Sequence, residues 1–326
     1  MRALISGANG FIGSHLVERL LQEGYEVRCL VRKTSNLRWI QGLPVELAIG
    51  DLSDVTSLAP FVKEIDYIFH LSGALRATTE SEFFQVNQIG TRNLLEACRM
   101  SCPNLKRFVY ISTQAAAGPS RSGDPVKEQD EPRPISLYGK SKLMAEQEVA
   151  QFQNYFPTTI VRPPAVYGPR DDDLVMLFKY IKFGIKPQVG FADRFLSIIY
   201  VADLVQGIQL AAERPEAQNQ IYFLANEAPI SWLELENAIA NAMGKHAVTI
   251  RLPVLALDFA AWLSEGFAKV VRHPAILNRD KAMEMKQRFW VVDTSKAKQQ
   301  LGFVAATPLE IGLKETYQWY RHQNWL

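Results

Sequence analysis

The chain has 326 residues, which is enough to bury a full core and to form one large domain or two smaller ones. Hydrophobic residues make up 48% of the chain, charged residues make up 21%, and the formal net charge is +2, so composition gives no reason to expect a nucleic acid or an anionic membrane as a partner. Cys29, Cys98 and Cys102 are too few for a disulfide framework and lack metal-binding spacing, so we predict a cytoplasmic protein without a metal site. Because strand character begins directly at the N-terminus, we predict no signal peptide.

The first residues of the chain have the pattern of a strand, a glycine-rich turn and the start of a helix. Gly7, Gly10 and Gly13 follow the apolar residues 3–6, and a helical pattern covers residues 14–21. In this context Gly7 allows a tight turn, Gly10 lets the backbone approach a pyrophosphate, and Gly13 lets the helix pack closely on the strand. We therefore predict that a dinucleotide phosphate binds at the N-terminus of this helix, the alternative being a glycine-rich loop that binds nothing.

A basic pair follows the second predicted strand, residues 27–31. Dinucleotide-binding folds often place an acid at this strand end, where it holds the adenosine ribose, but here Val31 is followed by Arg32 and Lys33. A carboxylate would repel a 2′-phosphate, whereas these two cations can pair with one. The sequence therefore favours NADP over NAD as the cofactor, and the alternative is a solvated basic turn.

Asp51 and Leu52 follow the third predicted strand, residues 45–49. Asp51 can accept a hydrogen bond from an adenine amino group while Leu52 packs on the ring. The alternative for Asp51 is that it caps the helix that starts near Asp54.

Ser72 and Gly73 follow the fourth predicted strand, residues 65–71, and their small size leaves room for a cofactor beside the sheet. We predict that His70, at the end of this strand, is packed rather than catalytic. A long helix is predicted next, over residues 80–100, and Asn87 is a polar position on it.

Thr113 follows the fifth predicted strand, and Tyr138 and Lys142 begin the helix predicted for residues 138–156. Residues four apart share a helical face, so the phenol and the ammonium are neighbours. A free tyrosine has a pKa of about 10, and a nearby ammonium stabilises its phenolate and lowers that pKa. Because Thr113 can orient a substrate carbonyl beside the phenol, we predict that these three residues are catalytic. The alternative is a surface tyrosine with a solvated lysine.

In this order the motifs resemble those of the extended short-chain dehydrogenase/reductase superfamily, in its NAD(P)-dependent epimerase/dehydratase-like group. Three later segments are also similar to that group, namely residues 162–169, 200–204 and 297–303. The resemblance covers nearly the whole chain. It implies an α/β fold, with a Rossmann-type doubly wound parallel sheet of about seven strands and a smaller C-terminal substrate lobe.

The resemblance also implies a division of the chain. The dinucleotide-binding Rossmann domain would be residues 1–167, with residues 197–224 returning to it, and the substrate lobe would be mainly residues 168–196 and 225–326. The most apolar stretch, residues 252–271, carries charged side chains, so we predict an amphipathic helix there rather than a membrane span. Relatives pair two helices of each protomer across a twofold axis, which implies a homodimer.

The family assigns a role to each motif residue. Tyr138 would be the general acid/base, Lys142 would hold the nicotinamide ribose and lower the tyrosine pKa, and Thr113 would hydrogen-bond the reacting oxygen. The remaining cofactor contacts that the resemblance implies are Ser112, Pro163, Val166 and the backbone amides of Phe11 and Ile12.

Three departures from the family pattern bear on the reaction. Gln114 and Ala115 stand where dehydratases of this superfamily place Asp-Glu, and residues 116–118 lack the Val-Tyr-Gly of many sugar epimerases. Leu196 stands where many epimerases carry an arginine that holds a diphosphate, although Arg194 lies two residues earlier. Other candidates for that role are Arg170, Lys179, Lys182 and Lys186, and the alternative for the lysines is a solvated helix face. Each departure weakens the prediction of a sugar-nucleotide substrate.

We therefore predict an NAD(P)-dependent oxidoreductase with a small-molecule substrate. Specifically, we expect an NADPH-dependent reductase of a fairly apolar carbonyl compound, similar to the dihydroflavonol-reductase and hydroxysteroid-dehydrogenase branches. The alternatives are a nucleotide-sugar epimerase, which returns the hydride to its substrate, and a cofactor-binding sensor without turnover.

Overall fold

A computed structural model describes residues 1–77, 79–271 and 278–326 of the chain. Its strands are β1 (Arg2–Ser6), β2 (Glu26–Val31), β3 (Glu46–Ile49), β4 (Tyr67–His70), β5 (Arg107–Ile111), β6 (Thr158–Arg162), β7 (Ala165–Tyr167), β8 (Ile185–Val189), β9 (Phe195–Leu196), β10 (Ile198–Tyr200), β11 (Gln220–Phe223), β12 (Ile230–Ser231), β13 (Val248–Leu252) and β14 (Phe289–Trp290). Its α-helices are α1 (Phe11–Gln22), α2 (Val55–Leu58), α3 (Glu80–Phe83), α4 (Gly90–Ser101), α5 (Gln114–Ala117), α6 (Leu137–Gln151), α7 (Val175–Lys182), α8 (Val201–Glu213), α9 (Trp232–Met243), α10 (Val254–Val271), α11 (Arg279–Lys286), α12 (Ser295–Leu301) and α13 (Leu309–His322). A π-helical turn (Phe84–Ile89) and a 3₁₀ turn (Pro215–Ala217) complete the described helical segments.

One parallel sheet of seven strands has the order β11-β6-β5-β4-β1-β2-β3. Strands β4, β5 and β6 are buried along their whole length, as expected for parallel strands that helices cover on both faces. The strand order reverses between β1 and β4, and open α/β sheets bind ligands in the crevice at the carboxyl ends of strands at such a point. The predicted doubly wound parallel sheet is therefore confirmed.

The two faces of the sheet form separate cores because successive residues of a strand point to opposite sides. Ile5 packs with residues of α1 and α8, such as Leu16 and Leu204. Leu4 packs instead with residues of α4 and α6, such as Leu94. Helices on both faces therefore hold the carboxyl edge of the strands in place.

The C-terminal part of the chain adds a second packing unit beside this edge. Helices α7, α9 and α13 share one apolar cluster, and β8 pairs with β13 while β9 pairs with β12 and β14. Leu301 and Phe303 belong by sequence to the predicted substrate lobe, yet they pack into the core beside β1, because α12 lies against α8 and β11. Residues 272–277 of the predicted lobe lie outside the described residues.

The helix predicted over residues 80–100 changes its winding midway. Helix α3, the π-helical turn and α4 follow one another without a break, so the chain is helical over the predicted range but wider at Asn87. Such π turns occur frequently at functional sites.

The stretch predicted as an amphipathic helix, residues 252–271, forms α10 after Leu252 has ended β13. Leu257 and Ala261 provide its buried side. None of the helices in the described ranges is both long and apolar enough to cross a lipid bilayer.

Candidate active site

The glycine-rich turn brings the N-terminus of α1 close to the end of β1. Gly7 has a φ of +73°, and a Cβ atom on it would lie 2.8 Å from the backbone nitrogen of Ser72. A Cβ atom on Gly13 would lie 2.1 Å from the carbonyl oxygen of Gly7, so only glycine permits this close packing. Gly10 is the N-cap of α1 and supplies no side-chain hydrogen bond, which leaves the first N–H groups of the helix directed at the crevice.

Arg32 and Lys33 are exposed at the end of β2. The backbone N–H of Arg32 donates to the hydroxyl of Ser35 at 3.0 Å, which closes the turn. Hydrogen bonds from Ser53 lower the pKa of Asp51, and the positive charge of Arg32 adds to this effect. The Arg32 side chain therefore lies on the same edge of the sheet as Asp51.

A cavity of about 180 Å³ beside the glycine turn contains further cations. The guanidinium of Arg38 lies 4.2 Å from the ring centroid of Trp39, and that of Arg170 lies 5.4 Å from it. Arg170 donates to Glu18 at 2.5 Å, but its Nε and one terminal nitrogen are buried without a partner among the described residues. The residues that line the cavity are Asn9, Gly10, Phe11, Asn36, Arg38, Trp39, Arg170 and Asp172. The sequence analysis did not identify Arg38 as part of this cation group.

Asp51 and Leu52 follow β3, and Leu52 reaches the first turn of α4. The alternative prediction, that Asp51 caps the next helix, α2, is wrong, because Asp54 is the N-cap of α2. The Asp51 carboxylate accepts from the backbone N–H of Ser53 at 2.8 Å and remains exposed. Leu52 packs on the start of α4, where a Cβ atom on Gly90 would lie 3.2 Å from the Leu52 Cβ.

Lys142 is buried at the end of β5. Its Nζ donates to the carbonyl oxygen of Ile111 at 2.7 Å and lies 4.3 Å from the ring centroid of Tyr110. A Cβ atom on Gly73 would lie 3.8 Å from the same nitrogen, so the loop after β4 lies next to the ammonium. Burial lowers the pKa of Lys142 to about 7, while the negative charge of Glu146 acts in the opposite direction.

Glu146 lies one helical turn after Lys142 and forms a buried ion pair with Arg162. The two hydrogen bonds of this pair are 2.9 Å and 2.6 Å long, which is the bidentate geometry of strong carboxylate recognition. Ser112 donates its hydroxyl to the same carboxylate at 2.5 Å. The Ser112 hydroxyl, which the sequence predicts as a cofactor contact, is thus engaged by Glu146.

Asn87 joins the π-helical turn to α6 and to the loop after β4. Its Oδ1 accepts from the backbone N–H of Ala74 at 2.7 Å, and its Nδ2 donates to the hydroxyl of Ser141 at 2.8 Å. Ser141 lies between Tyr138 and Lys142 on α6. Asn87 therefore fixes the helix that carries both residues.

Tyr138 lies on the turn of α6 that packs against α5, and the Thr113 hydroxyl caps α5 by accepting from the backbone N–H of Ala115 at 3.2 Å. Burial raises the pKa of Tyr138, the negative charge of Glu284 adds to the rise, and the Thr113 hydroxyl partly offsets it. The pKa of Tyr138 therefore has a net rise, because the desolvation of the phenol is the largest effect, and its lowering by Lys142 stays a prediction. The Lys142 ammonium is held at Ile111.

The first turn of α6 is held by α11. Ser136 accepts from the backbone N–H of Gly139 at 3.1 Å, and its hydroxyl donates to Glu284 at 2.6 Å. The backbone N–H of Leu137 donates to Asp280 at 2.7 Å. Two carboxylates of the C-terminal part therefore fix the turn on which Tyr138 lies.

His70 is packed at the end of β4, as predicted. Its Nδ1 lies 2.6 Å from the hydroxyl of Ser6, and its Nε2 lies 2.9 Å from that of Thr91. Burial lowers the pKa of His70 to about 3, and the charge of Lys142 contributes. No group of three His, Cys, Asp or Glu side chains that could hold a metal ion occurs within the described ranges.

The turn after β6 lies beside Thr113. The carbonyl oxygen of Pro163 accepts from the backbone N–H of Gln114 at 2.8 Å. Val166 is half-buried on β7 and packs against the two core clusters that meet there. Both residues thus lie on the Thr113 side of the crevice.

Arg194, a candidate for holding a diphosphate, already donates hydrogen bonds to backbone carbonyl groups around it. It donates to the carbonyl oxygens of Val189, Ala192 and Met285, the last at 3.1 Å. Burial lowers its pKa. Leu196 is half-buried on β9, so this position offers no positive charge.

The structure brings Thr113, Tyr138 and Lys142 together at the carboxyl edge of the sheet and leaves Arg32 and Lys33 at the β2 end of that edge. The sequence analysis missed the supporting carboxylates of Glu146 and Glu284. Glu146 had a detectable signal, because it lies four residues after Lys142 on one helical face. Glu284 had none, because only the fold brings α11 to α6.

Known proteins resemble this chain in sequence and in fold. Residues 3–225 match the model of the family described as NAD dependent epimerase/dehydratase family. The chain is 29% identical to the ceramide reductase of Caulobacter vibrioides over 99% of this chain and 95% of that protein. It is also 29% identical to the 4-hydroxy-2-methyl-3-oxo-4-farnesyl-3,4-dihydroquinoline-1-oxide ketoreductase of Stigmatella aurantiaca, over 96% of this chain and 95% of that protein. Among solved structures, the UDP-glucose 4-epimerase of Thermotoga maritima has a TM-score of 0.81 over 99% of this chain and 100% of that chain, and its 24% identity shows a shared fold alone.

Proposed function

Because the chain belongs to the NAD-dependent epimerase/dehydratase family, whose members are NAD(P)-dependent enzymes, we propose that it reduces a fairly apolar carbonyl compound with NADPH. The observation that carries the proposal is the grouping of Thr113, Tyr138 and the buried Lys142 at the edge that also holds the glycine turn: a Cβ atom on Gly139, next to Tyr138, would lie 2.4 Å from the carbonyl oxygen of Ala115 in the helix that Thr113 caps. A cofactor-binding sensor without turnover has no need of this group. The names of the two curated relatives, a ceramide reductase and a farnesyl-quinoline ketoreductase, support an apolar substrate.

The residues at the crevice fit a dinucleotide. A side chain at Gly7 or Gly13 would fill the space that the turn needs. The start of α1 has no side-chain cap, so its first backbone N–H groups, those of Phe11 and Ile12, can bind a pyrophosphate. Lys142 would hold the nicotinamide ribose. The other residues of the proposed cofactor site are Gly10, Asp51, Leu52, Ser72, Gly73, Asn87, Ser112, Pro163 and Val166.

The bound nicotinamide supplies a hydride for the carbonyl carbon, and this chain supplies the proton. Tyr138 donates its phenolic proton to the carbonyl oxygen while Thr113 donates a hydrogen bond to the same atom. Because burial raises its pKa, Tyr138 stays protonated at neutral pH and is available as an acid. The nearby Lys142 ammonium stabilises the phenolate that remains.

Tyr138→Phe tests this assignment, because it removes the proton donor and keeps the ring. Turnover should fall by about 10²–10⁴-fold, the usual contribution of general acid catalysis, and is measured as NADPH consumption. Tyr155→Phe, at an exposed tyrosine beyond α6, is the matched control and should keep full turnover. Unchanged turnover in Tyr138→Phe would contradict the mechanism.

The absence of a free cation at Arg194 and Leu196 argues against a sugar-nucleotide epimerase. A reductase consumes NADPH in proportion to product, whereas an epimerase returns the hydride to its substrate. We would therefore follow nicotinamide absorbance with long-chain ketones and with UDP-sugars. Loss of absorbance with a ketone supports the proposal, and epimerisation of a UDP-sugar without such loss contradicts it.

The preference for NADP over NAD rests on Arg32 and Lys33, with Arg38 as a third cation near the glycine turn. A charge-assisted bond contributes about 1.5–3 kcal/mol, which is roughly tenfold or more in affinity. Arg32→Ala should weaken NADPH binding by that factor and leave NADH binding unchanged, while Arg214→Ala, at an exposed arginine after α8, should change neither. Equal losses for both cofactors in Arg32→Ala would show that Arg32 does not bind the phosphate.

A homodimer formed through α4 and α6 is the assembly that we propose. Met100 and Met144 are exposed apolar side chains on these helices. Light scattering at low protein concentration tests this proposal, and a monomer would contradict it without affecting the fold.

The proposed organisation has a dinucleotide-binding unit of residues 1–167 and 197–224 and a substrate lobe made mainly of residues 168–196 and 225–326. The proposed location is the cytoplasm, since Cys29 and the other two thiols are free and buried. The division can be tested by expressing residues 1–167 alone and measuring the stability of this fragment. Because the fragment lacks β11, a strand of the seven-stranded sheet, it should be less stable than the full chain.

A further inference from the structure

More than half of the exposed large apolar side chains of the described residues lie in two segments, 176–195 and 248–263. Strands β8 and β13 belong to these segments and pair in parallel. On β8, Lys186 donates to Asn237 of α9 at 2.8 Å, so this side of the strand faces α9. Pro187 follows Lys186 on β8, so its side chain faces away from α9. Ile250 of β13 is paired with Pro187 and faces the same way.

Helix α10 is apolar on both sides. Leu257 and Ala261 pack into a buried cluster. Leu255, Phe259 and Trp262 are spaced by four and three residues on the opposite side, and they are 80%, 61% and 54% exposed. A helix with apolar side chains on two opposite sides is normally covered on both, and none of the described residues covers this outward face.

Chain connections place these features next to one another, and together we call them the apolar patch. Phe183 is 79% exposed at the end of α7 and is followed by Gly184, whose carbonyl oxygen accepts from the backbone N–H of Val248 at 2.9 Å. At the other end of the strand pair, Leu252 bonds to Gly190 and leads directly into α10. The patch comprises Phe183, Val248, Ile250, Leu255, Phe259 and Trp262.

Cations outnumber acids around the apolar patch. Segments 176–195 and 244–263 contain six of the 36 Lys and Arg residues and two of the 34 Asp and Glu residues, so they carry +4 while the rest of the chain carries −2. The net charge of +2 hides this asymmetry. Of the two acids, Asp258 is paired with Lys286. Lys186 and Arg251 lie on the strand side that faces α9, and Arg194 is bonded to backbone carbonyls. The cations that we assign to the patch are therefore Lys179, Lys182 and Lys245.

We propose that the apolar patch docks the protein on the surface of an anionic phospholipid bilayer. Exposed aromatic and aliphatic side chains next to lysines are the combination that binds the boundary between headgroups and acyl chains. The anionic headgroups attract the cations, each at a modest gain. A second copy of this chain is a poorer partner, because a twofold contact through this surface would bring like charges together.

Vesicle flotation with the full chain tests the proposal. Wild type should float with vesicles of phosphatidylcholine and phosphatidylglycerol in equal parts, less with phosphatidylcholine alone, and less at high salt. The patch variant Leu255→Ser, Phe259→Ser and Trp262→Ser should bind at least about tenfold more weakly. A matched control, Leu47→Ser, Val304→Ser and Ile311→Ser, changes side chains that are 46%, 50% and 51% exposed elsewhere and should float like wild type. Failure of wild type to float, or equal flotation of the patch variant and the control, overturns the proposal.

Two further measurements separate insertion from other causes. The charge variant Lys182→Gln and Lys245→Gln should bind about fivefold more weakly per lysine removed and should lose most of its salt dependence. Brominated lipids should quench tryptophan fluorescence in wild type, and the quenching should disappear in Trp262→Phe although that variant still floats. NADPH binding must remain intact in all variants, which shows that they are folded. If the patch variant changes the oligomeric state in the ultracentrifuge and not vesicle binding, the partner is a second copy and the membrane proposal fails.

Discussion

Replacing Glu146 with glutamine tests how the buried polar network supports the candidate active site. The substitution keeps the size of the side chain and removes its charge. It leaves Arg162, whose side chain is 2% exposed, without an opposite charge. Removing one partner of a buried pair costs about 3–5 kcal/mol, whereas an exposed pair is worth about 0–1 kcal/mol. We expect the free energy of unfolding in urea to fall by the larger amount.

The same substitution should change cofactor binding through Lys142. The charge of Glu146 opposes the effect of burial, so without it the pKa of Lys142 should fall below about 7. If Lys142 holds the nicotinamide ribose as an ammonium, NADPH affinity declines as the pH rises through this pKa. The decline should begin at a lower pH in Glu146→Gln than in wild type, as measured by fluorescence titration of NADPH across the neutral range.

Two variants control for simple loss of packing. Glu148→Gln lies on the same helix, but its partner Arg92 is 46% exposed and can be solvated, so a smaller loss of stability and an unchanged pH profile are expected. Replacing both partners, Glu146→Gln with Arg162→Met, removes the isolated cation and should recover about 1–4 kcal/mol relative to the single variant. The reasoning is refuted if Glu146→Gln costs no more than Glu148→Gln, or if the double variant is no more stable than the single one.

Three further predictions concern other parts of the site. Gly13→Ala should abolish NADPH binding in titrations, since its Cβ would lie 2.1 Å from a carbonyl oxygen. Gly24→Asn should bind normally, since no atom lies within 4 Å and asparagine tolerates the φ of +78° at this position. Thr113→Val removes the hydroxyl that lowers the Tyr138 pKa and should reduce turnover, whereas Thr113→Ser keeps a hydroxyl and should retain it; equal activity of the two variants would contradict this role. Burial holds the pKa of His70 at about 3, below the unfolded value of about 6.5, so the unfolded chain binds more protons in this window and the free energy of unfolding should decrease as the pH falls through it. His70→Gln should flatten that slope in urea titrations at several pH values.

The features that the sequence predicted are those in which local pattern and fold agree. The glycine spacing from Gly7 to Gly13 requires a turn that only a strand followed by a helix can use, and the structure has that turn. The buried strands before Ser72 and Thr113 are continuous apolar runs, which are typical of parallel strands. Together with the family resemblance, their order along the chain predicted a doubly wound sheet.

The features that the sequence could not provide depend on distances across the fold. Arg38 and Arg170 are far apart along the chain and meet at Trp39 only because the loops after β2 and β7 both lie beside α1. The direction of the Tyr138 pKa was also missed, because the spacing to Lys142 indicates which charges are near but not how much water is excluded. Desolvation is a property of the packed site, and no local motif encodes it.

The contact between α11 and α6 shows why the C-terminal part affects more than substrate choice. Glu284 accepts from Ser136, which in turn caps the helix turn that carries Tyr138. Its negative charge also raises the pKa of that tyrosine. A change in α11 therefore alters the position of the proposed acid and its proton affinity together. Sequence differences between relatives in this segment should affect reactivity as well as specificity, even where Thr113, Tyr138 and Lys142 are all present.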